Sequence, residues 1–230
     1  LTGLSNESAH TAFHPAPANG DLVRKGLHPV VVLVPPLQRD RTLLSPLTAA
    51  LKQAGFAVVQ LDSSPSAETT GRRIAAVRVA IADQSGIDAT RVYFVGYGTG
   101  APVTASAAVH HPKGVAGLVW FAPSERAGTV ELASQLPRLP RAPTLLIGDV
   151  RKRNQLRVIR TLLKLSLSEV TQIVRAGLDG DGGYLHRSPG LADQVALVLR
   201  GWAERNCDRT APKPHRPRVN EHCKVRRQSD

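Results

Sequence analysis

The chain has 230 residues, 42% of them hydrophobic and 4% aromatic, and its formal net charge at pH 7 is +12. This length suits one domain with a sizeable core, and the many Ala, Val and Leu residues favour an α/β interior over an all-β one. No apolar stretch approaches the roughly 20 residues of a membrane-spanning helix. The positive charge favours anionic partners without identifying one, and a basic, solvated surface would explain it without any partner.

The first part of the chain, residues 1–28, mixes Ser, Asn, His, Pro and Gly without periodicity. This composition predicts an extended lead-in to the folded domain. The chain begins at Leu1 and contains no methionine. We therefore expect a processed or trimmed chain, and a removed signal peptide is one explanation.

From residue 29 onward, strand patterns and helix patterns alternate. Short continuous apolar runs, typical of strands buried on both faces, predict strands at 29–34, 56–61, 92–95, 115–121, 144–147 and 171–175. Apolar stripes with helical spacing predict helices at 41–54, 70–84, about 100–110, 155–165 and 190–205. Between them we expect an irregular excursion at 123–142 and a glycine-rich loop at 177–188.

This alternation predicts an α/β fold with a mostly parallel sheet of about six strands and helices on both faces. The predicted domain covers residues 29–205 and is followed by a basic tail, residues 206–230. A Rossmann domain is the natural rival, but it places its glycine motif after the first strand. Here the first strand leads into Pro35 and Pro36, which have no backbone N–H to cradle a pyrophosphate. We expect no dinucleotide or other cofactor.

The most informative stretch is the sequence VYFVGYGTGAP at residues 92–102, where a predicted strand enters a glycine-dense turn and a predicted helix leaves it. Gly96, Gly98 and Gly100 fall where the G-x-S-x-G nucleophile elbow has Gly, Ser and Gly. With the order of elements over residues 29–204, this stretch resembles the α/β-hydrolase fold without its first two strands. The resemblance implies a nucleophile at position 98, but glycine stands there. Thr99 lies one place away and is expected to lead into the helix.

The resemblance also implies an oxyanion loop, an acid and a base. The family commonly has His-Gly after the first strand, whereas this chain has Pro35-Pro36 and so lacks two backbone donors. Asp149 is the candidate acid, although Arg151 stands where the acid most often lies. His186 precedes the last predicted helix and is the candidate base; a loop histidine kept for packing explains it equally. Asp179 and Asp181 are expected to shape the glycine-rich loop.

One predicted helix carries a cationic stripe. Arg153, Arg157, Arg160 and Lys164 fall within about 60° of one another around the helix axis. A separate apolar stripe at Leu156, Ile159 and Leu163 is expected to dock the helix on the sheet. A solvated face explains the cations most simply. Phosphate, sulfated or carboxylated polymers, anionic lipid head groups and proteins are the candidate partners.

The two cysteines, Cys207 and Cys223, bracket a polar segment near the C-terminus. An even pair of this kind predicts one disulfide and an oxidising compartment, so we expect a secreted or periplasmic protein. A zinc site would use the two cysteines with His215 and His222, but the spacing matches no common zinc module.

Three functions remain open from the sequence. The first is an exported, non-catalytic α/β-hydrolase-like protein that binds through a cleft at Pro36, Gly98 and Thr99, through its cationic surface, or through both. The second is an enzyme of atypical mechanism in which His186, with Asp149 or Asp181, acts as a general base. The third is nucleic-acid binding through the basic tail, which predicts a steep dependence of affinity on salt.

Overall fold

The computed structural model describes residues 27–39, 41–149, 152–165, 170–175, 184–188 and 190–210. At residues 41, 154, 165, 170–175, 184 and 206–210 it describes the backbone only. The predicted lead-in up to residue 26 and the tail from residue 211 lie outside the described residues. The same holds for Arg151, Asp179 and Asp181, and for the zinc alternative at His215 and His222.

The strands are β1 (His28–Val34), β2 (Ala57–Gln60), β3 (Ile87–Tyr97), β4 (Val115–Phe121), β5 (Arg126–Ala127), β6 (Val130–Glu131), β7 (Thr144–Asp149) and β8 (Val170–Arg175). Six of them form one parallel sheet in the order β2-β1-β3-β4-β7-β8, while β5 and β6 form a small antiparallel hairpin. The predicted parallel sheet of about six strands is confirmed.

The α-helices are α1 (Ser45–Gln53), α2 (Ala67–Ala82), α3 (Gly100–His110), α4 (Leu132–Gln135), α5 (Arg153–Leu165), α6 (Tyr184–Arg187) and α7 (Leu191–Thr210), and 3₁₀ helices cover Arg41–Leu44 and Leu136–Arg138. Among these described helices, none combines the length and apolarity needed to cross a bilayer. Helix α2 begins three residues before the predicted start because Ser66 caps it, its hydroxyl accepting the Thr69 N–H over 3.1 Å.

Alternate residues of each strand enter two separate cores, one on each face of the sheet. In β1, for example, Val31 and Leu33 pack with α1 and α7, whereas Val30 and Val32 pack with α2, α3 and α5. All four side chains are fully buried. The central strands are therefore apolar on both faces, which explains why they appear in the sequence as continuous apolar runs.

A glycine of β4 fits the last helix against the sheet. A Cβ on Gly117 would lie 2.7 Å from the Trp202 ring of α7 and 2.9 Å from the Tyr93 ring of β3. The Trp202 side chain is 3% exposed. The indole of α7 thus occupies space that a side chain in β4 would otherwise need.

A buried ion pair lies near the amino end of β3. Arg91 Nε donates to Asp88 Oδ2 over 2.6 Å, and the two side chains are 4% and 7% exposed. Burial raises the pKa of Asp88, but hydrogen bonds from Thr90 and the bond and charge of Arg91 outweigh it, so the pKa falls below its ordinary value. The folded chain therefore favours the ionised form of Asp88.

Three sequence predictions are corrected by the structure. Residues 123–142 contain the β5–β6 hairpin and α4 where only irregular chain was expected. Part of the predicted glycine-rich loop is helical, because Tyr184–Arg187 form α6 and bury Leu185 in the core of α1 and α7. The last helix continues to Thr210, beyond the expected end at residue 205.

The docking face of α5 is also corrected. Its buried residues are Val158, Ile159 and Leu162, while Leu156 is half-buried and Leu163 is 37% exposed. The side chain of Ile159 fills the space that a Cβ on Gly148 would need. The helix therefore docks on the sheet through Val158, Ile159 and Leu162, and Leu163 lies outward.

Candidate functional site

The candidate site lies where the direction of the sheet reverses. From β1 the chain moves to β2 on one side, while β3 and β4 lie on the other. The connections that leave the carboxyl ends of β1 and β3 diverge there, and in open α/β sheets this leaves a crevice that binds ligands. The segments that follow the two strands meet in this crevice, where Leu37 N–H donates to Thr99 Oγ1 over 2.8 Å.

The turn after β3 is held tightly at Gly98. Its φ is +54°, in the left-handed region that favours glycine. Its N–H donates to the Phe121 carbonyl over 2.9 Å, and its carbonyl accepts from Ala101 N at 3.2 Å and Ser124 N at 3.0 Å. Strand β4 and helix α3 therefore fix this residue from two sides.

The two flanking glycines are required by close packing. A Cβ on Gly96 would lie 2.7 Å from the Ala101 backbone, and a Cβ on Gly100 would lie 2.5 Å from the Val34 carbonyl oxygen. A Cβ on Gly98 would meet nothing nearer than Pro36 at 3.7 Å. The turn thus has room for a side chain at position 98 and at neither flanking position.

A cleft of about 450 Å³ opens above Gly98. Its volume falls within the range of about 300–1,000 Å³ found for small-molecule sites. The walls come from the segments after β1 and β4, from the 3₁₀ helix at Arg41–Leu44 and from α5. The lining residues are Pro36, Leu37, Arg39, Leu43, Tyr97, Gly98, Thr99, Ala122, Pro123, Ser124, Glu125, Gln155, Arg157 and Val158.

No protein-family model matches the chain, and no curated protein sequence matches it. Solved structures do match the chain in their fold. A dienelactone hydrolase from Anabaena variabilis has a TM-score of 0.62 and 18% identity, over 78% of this chain and 87% of that chain. Est1E from Butyrivibrio proteoclasticus has a TM-score of 0.64 and 10% identity, over 76% and 90%. A monoacylglycerol lipase from Paleococcus ferrophilus has a TM-score of 0.57 and 13% identity, over 76% and 96%.

The chain has the α/β-hydrolase fold. The resemblance drawn from the glycine turn and the order of the elements is confirmed at the level of fold. Gly98 lies in the turn between β3 and α3 that the sequence analysis compared with the nucleophile elbow, and its backbone is left-handed with crowded glycines on either side.

The segment after β1 offers few backbone donors to the cleft. Pro35 and Pro36 have no N–H, as the sequence shows, and the next N–H along the chain, that of Leu37, already donates to Thr99 Oγ1. Thr99 leads into α3 as predicted, but its side chain also lines the cleft. A carbonyl oxygen placed here would compete with the Thr99 hydroxyl for the Leu37 donor.

The candidate base lies beside the cleft wall rather than in the lining. His186 is on α6, its side chain is exposed, and its Nε2 lies 3.1 Å from the Thr42 carbonyl oxygen. A carbonyl only accepts hydrogen bonds, so Nε2 carries the proton in this contact. Thr42 belongs to the same 3₁₀ helix as Leu43, which does line the cleft.

The candidate acid lies at the end of β7. Asp149 is 2% exposed, its N–H donates to Gln155 Oε1 over 2.9 Å, and its carbonyl accepts from Lys152 N–H. Asp149 is also absent from the cleft lining. The described geometry therefore does not bring Asp149, His186 and position 98 together in one cavity.

The cationic stripe of α5 divides between two locations. Arg153, Arg157, Arg160 and Lys164 are all exposed, as predicted for a solvent-facing stripe. Only Arg157 lines the cleft, where its Nε and Nη2 contact Glu125 Oε1 at 2.9 and 2.6 Å. Arg157 therefore belongs to the cleft, and the other three cations form an outer surface.

Sequence analysis missed four polar residues of the cleft: Arg39, Ser124, Glu125 and Gln155. Ser124 and Glu125 follow the carboxyl end of β4, and Arg39 follows that of β1. The rule that ligands bind at the carboxyl ends of parallel strands could have identified these three. Nothing in the sequence distinguishes Gln155 from other polar residues of α5.

Proposed function

We propose that this chain is a non-catalytic protein of the α/β-hydrolase fold that binds a small molecule in the cleft above Gly98. One observation carries the proposal. The position that should present a nucleophile has the required backbone, with φ of +54° and space for a Cβ, yet it holds a glycine. Loss of the nucleophile in a triad hydrolase typically lowers turnover about 10⁶-fold.

Two further features support binding over catalysis. The Leu37 N–H is satisfied by Thr99 within the protein, so this donor is not available to a developing oxyanion. The Nε2 of His186 contacts the Thr42 carbonyl, and His186 does not line the cleft, whereas a general base needs a nitrogen directed at the reacting group. Meanwhile the cleft itself, at about 450 Å³, is kept.

A hydrolytic enzyme of atypical mechanism is the second candidate. Two of the compared structures are named as a dienelactone hydrolase and a monoacylglycerol lipase. In addition, Ser124 Oγ lies 3.9 Å from where a Cβ on Gly98 would be, so a hydroxyl lies close to the usual place of the nucleophile. In this mechanism His186 would leave the Thr42 carbonyl and act as the base.

Hydrolysis of 4-nitrophenyl acetate and butyrate separates the two candidates. The native chain, His186→Ala and Ser124→Ala are compared, with a fluorophosphonate probe and peptide mapping as a second measurement. Binding without catalysis predicts background rates and no adduct for all three proteins. Turnover that disappears with His186 or Ser124, or an adduct mapped to either residue, would overturn the proposal in favour of the enzyme.

Export remains part of the proposal and depends on the cysteine pair. The backbone of Cys207 lies in the last turns of α7, whereas its side chain and the whole of Cys223 lie outside the described residues. The cationic surface formed by Arg153, Arg160 and Lys164 is the proposed contact for any larger anionic partner.

A further inference from the structure

The polar side chains that line the cleft are mostly hydrogen-bond donors. Arg39 and Arg157 present guanidinium groups, which can only donate. Ser124 and Thr99 present hydroxyls. The Thr99 hydroxyl acts as the acceptor in its bond with Leu37 N–H, so that bond does not use its hydrogen, which can be donated to a ligand. A ligand rich in acceptor atoms matches such a lining.

The amide of Gln155 adds an oriented donor. Its Oε1 accepts the Asp149 N–H over 2.9 Å, which fixes which end of the amide is the oxygen. The Nε2 group is therefore left with both hydrogens for other acceptors. Gln155 is half-buried in the cleft wall, where hydrogen bonds are screened less than at an open surface.

The charge of the cleft is positive. Glu125 is the one carboxylate among its described lining residues, and both of its contacts to Arg157 use the same oxygen, Oε1. These side chains are 54% and 68% exposed, so an incoming anion can displace Glu125 at little cost. Arg39 has no ion pair with any carboxylate of the described residues, which leaves its charge available to a ligand.

Most of the remaining lining, apart from Tyr97, is apolar. Pro36, Leu37, Leu43, Pro123 and Val158 form this part of the wall. Small-molecule sites commonly combine apolar walls with placed polar groups. The ligand must therefore carry an apolar body as well as an acceptor-rich, negatively charged end.

We propose that the cleft selects a small monocarboxylate with an apolar body, whose carboxylate is held by Arg39 with the Gln155 amide and the Ser124 hydroxyl as further donors. This inference depends on the proposed binding function and specifies its ligand class. The glycine at position 98 favours such a ligand, because a side chain there would project into the cleft toward Pro36 and Ser124.

Ligand-observed NMR with matched compounds tests the proposal. The set contains short alkyl and aryl carboxylic acids, each with the corresponding neutral carboxamide, and the binders are then titrated by calorimetry. Four proteins are compared: the native chain, Arg39→Gln, Arg138→Gln and Leu43→Trp. Arg138 is an exposed arginine outside the cleft, and a tryptophan at position 43 is intended to block the cleft. Thermal unfolding confirms that each variant folds.

The expected result is that the acids bind and the carboxamides do not. Arg39→Gln should weaken acid binding about tenfold or more, Arg138→Gln should leave it unchanged, and Leu43→Trp should abolish it. If the carboxamides bind as tightly as the acids and Arg39→Gln has no effect, the carboxylate inference is wrong while the binding function stands. If no compound of either kind binds the native chain, both proposals fail.

Discussion

The Thr99 hydroxyl accepts the Leu37 backbone N–H over 2.8 Å and so joins the segment after β1 to the start of α3. These two segments form opposite sides of the crevice at the reversal of the sheet. The hydroxyl takes the position next to Leu37 that a ligand oxygen would otherwise occupy. The Thr99 side chain therefore links the two sides of the crevice and also occupies the Leu37 N–H, which a ligand could otherwise use.

Replacement of Thr99 by valine should destabilise the protein by about 1–2 kcal/mol, because the half-buried Leu37 N–H loses its acceptor while the side-chain volume is kept. Thr99→Ser retains the oxygen and should cost less. Urea unfolding measures both values. Equal destabilisation by the two variants would show that the hydrogen bond contributes nothing.

Alanine substitutions at three glycines should change the free energy of unfolding by amounts that differ in sign and size. Gly100→Ala should cost about 3 kcal/mol or more, because its Cβ would lie 2.5 Å from a backbone oxygen. Gly98→Ala should cost about 1–2 kcal/mol from its positive φ alone. Gly71→Ala, in the middle of α2 with open space around it, should stabilise by about 0.5–1 kcal/mol. Chemical denaturation of the three variants checks the order; a Gly98→Ala variant as unstable as Gly100→Ala would contradict it.

Acid should weaken the fold through Asp88. Its pKa is lower in the folded chain than the ordinary 3.8, so the stabilisation is complete above that value and is lost as the pH falls below it toward the folded pKa. Asp88→Asn removes the carboxylate that accepts from the buried Arg91 Nε and should cost about 3–5 kcal/mol at pH 7. The free energy of unfolding is measured from pH 7 down to about pH 2.

The free energies of unfolding of Asp88→Asn and of the native chain should approach each other as the pH falls toward 2. At that pH the native Asp88 is protonated and, like the asparagine, carries no charge. Asp83→Asn is the control, since Asp83 is exposed and its replacement should change stability by less than about 0.5 kcal/mol. A constant gap at every pH would mean that Asp88 acts by packing rather than by charge.

The outer cations of α5 should strengthen binding to polyanions. Replacement of Arg160 and Lys164 by glutamine should lower the salt concentration at which the protein elutes from heparin. The matched control removes the same charge from Arg72 and Lys113, which are exposed on other parts of the surface. If both double variants elute together, net charge rather than the α5 surface governs binding.

Cys207 and Cys223 should form an intramolecular disulfide in protein folded under oxidising conditions. Intact-mass analysis after alkylation, with and without reduction, should show two blocked thiols that react only when reduced. Alkylation of both cysteines without reduction would remove the basis for proposing export.

The sequence predicted the fold well because its signals are local. Continuous apolar runs gave the strands, and Gly96, Gly98 and Gly100 gave the turn between β3 and α3. The docking face of α5 was predicted only in part: Ile159 is buried as expected, but Val158 and Leu162 are buried in place of Leu156 and Leu163. The choice among these apolar residues depends on how the helix lies against β7, where Ile159 contacts Gly148.

The site was predicted less completely than the fold. Position 98 could be found by its motif, and Arg157 by its place in a cationic stripe. The partnership of Arg157 with Glu125 spans 32 residues of chain and depends on how α5 lies beside the segment after β4. The separation of His186 from the cleft likewise depends on α6, a four-residue helix that the glycine-rich sequence around it concealed.

The fit of Trp202 over Gly117 limits where the polypeptide can be shortened. Because the indole fills a hollow in β4, any expression boundary upstream of residue 203 would uncover Tyr93 and the adjoining strand surface to water. Fragments cut in that region should therefore aggregate, whereas cuts beyond residue 210 spare every described contact of α7.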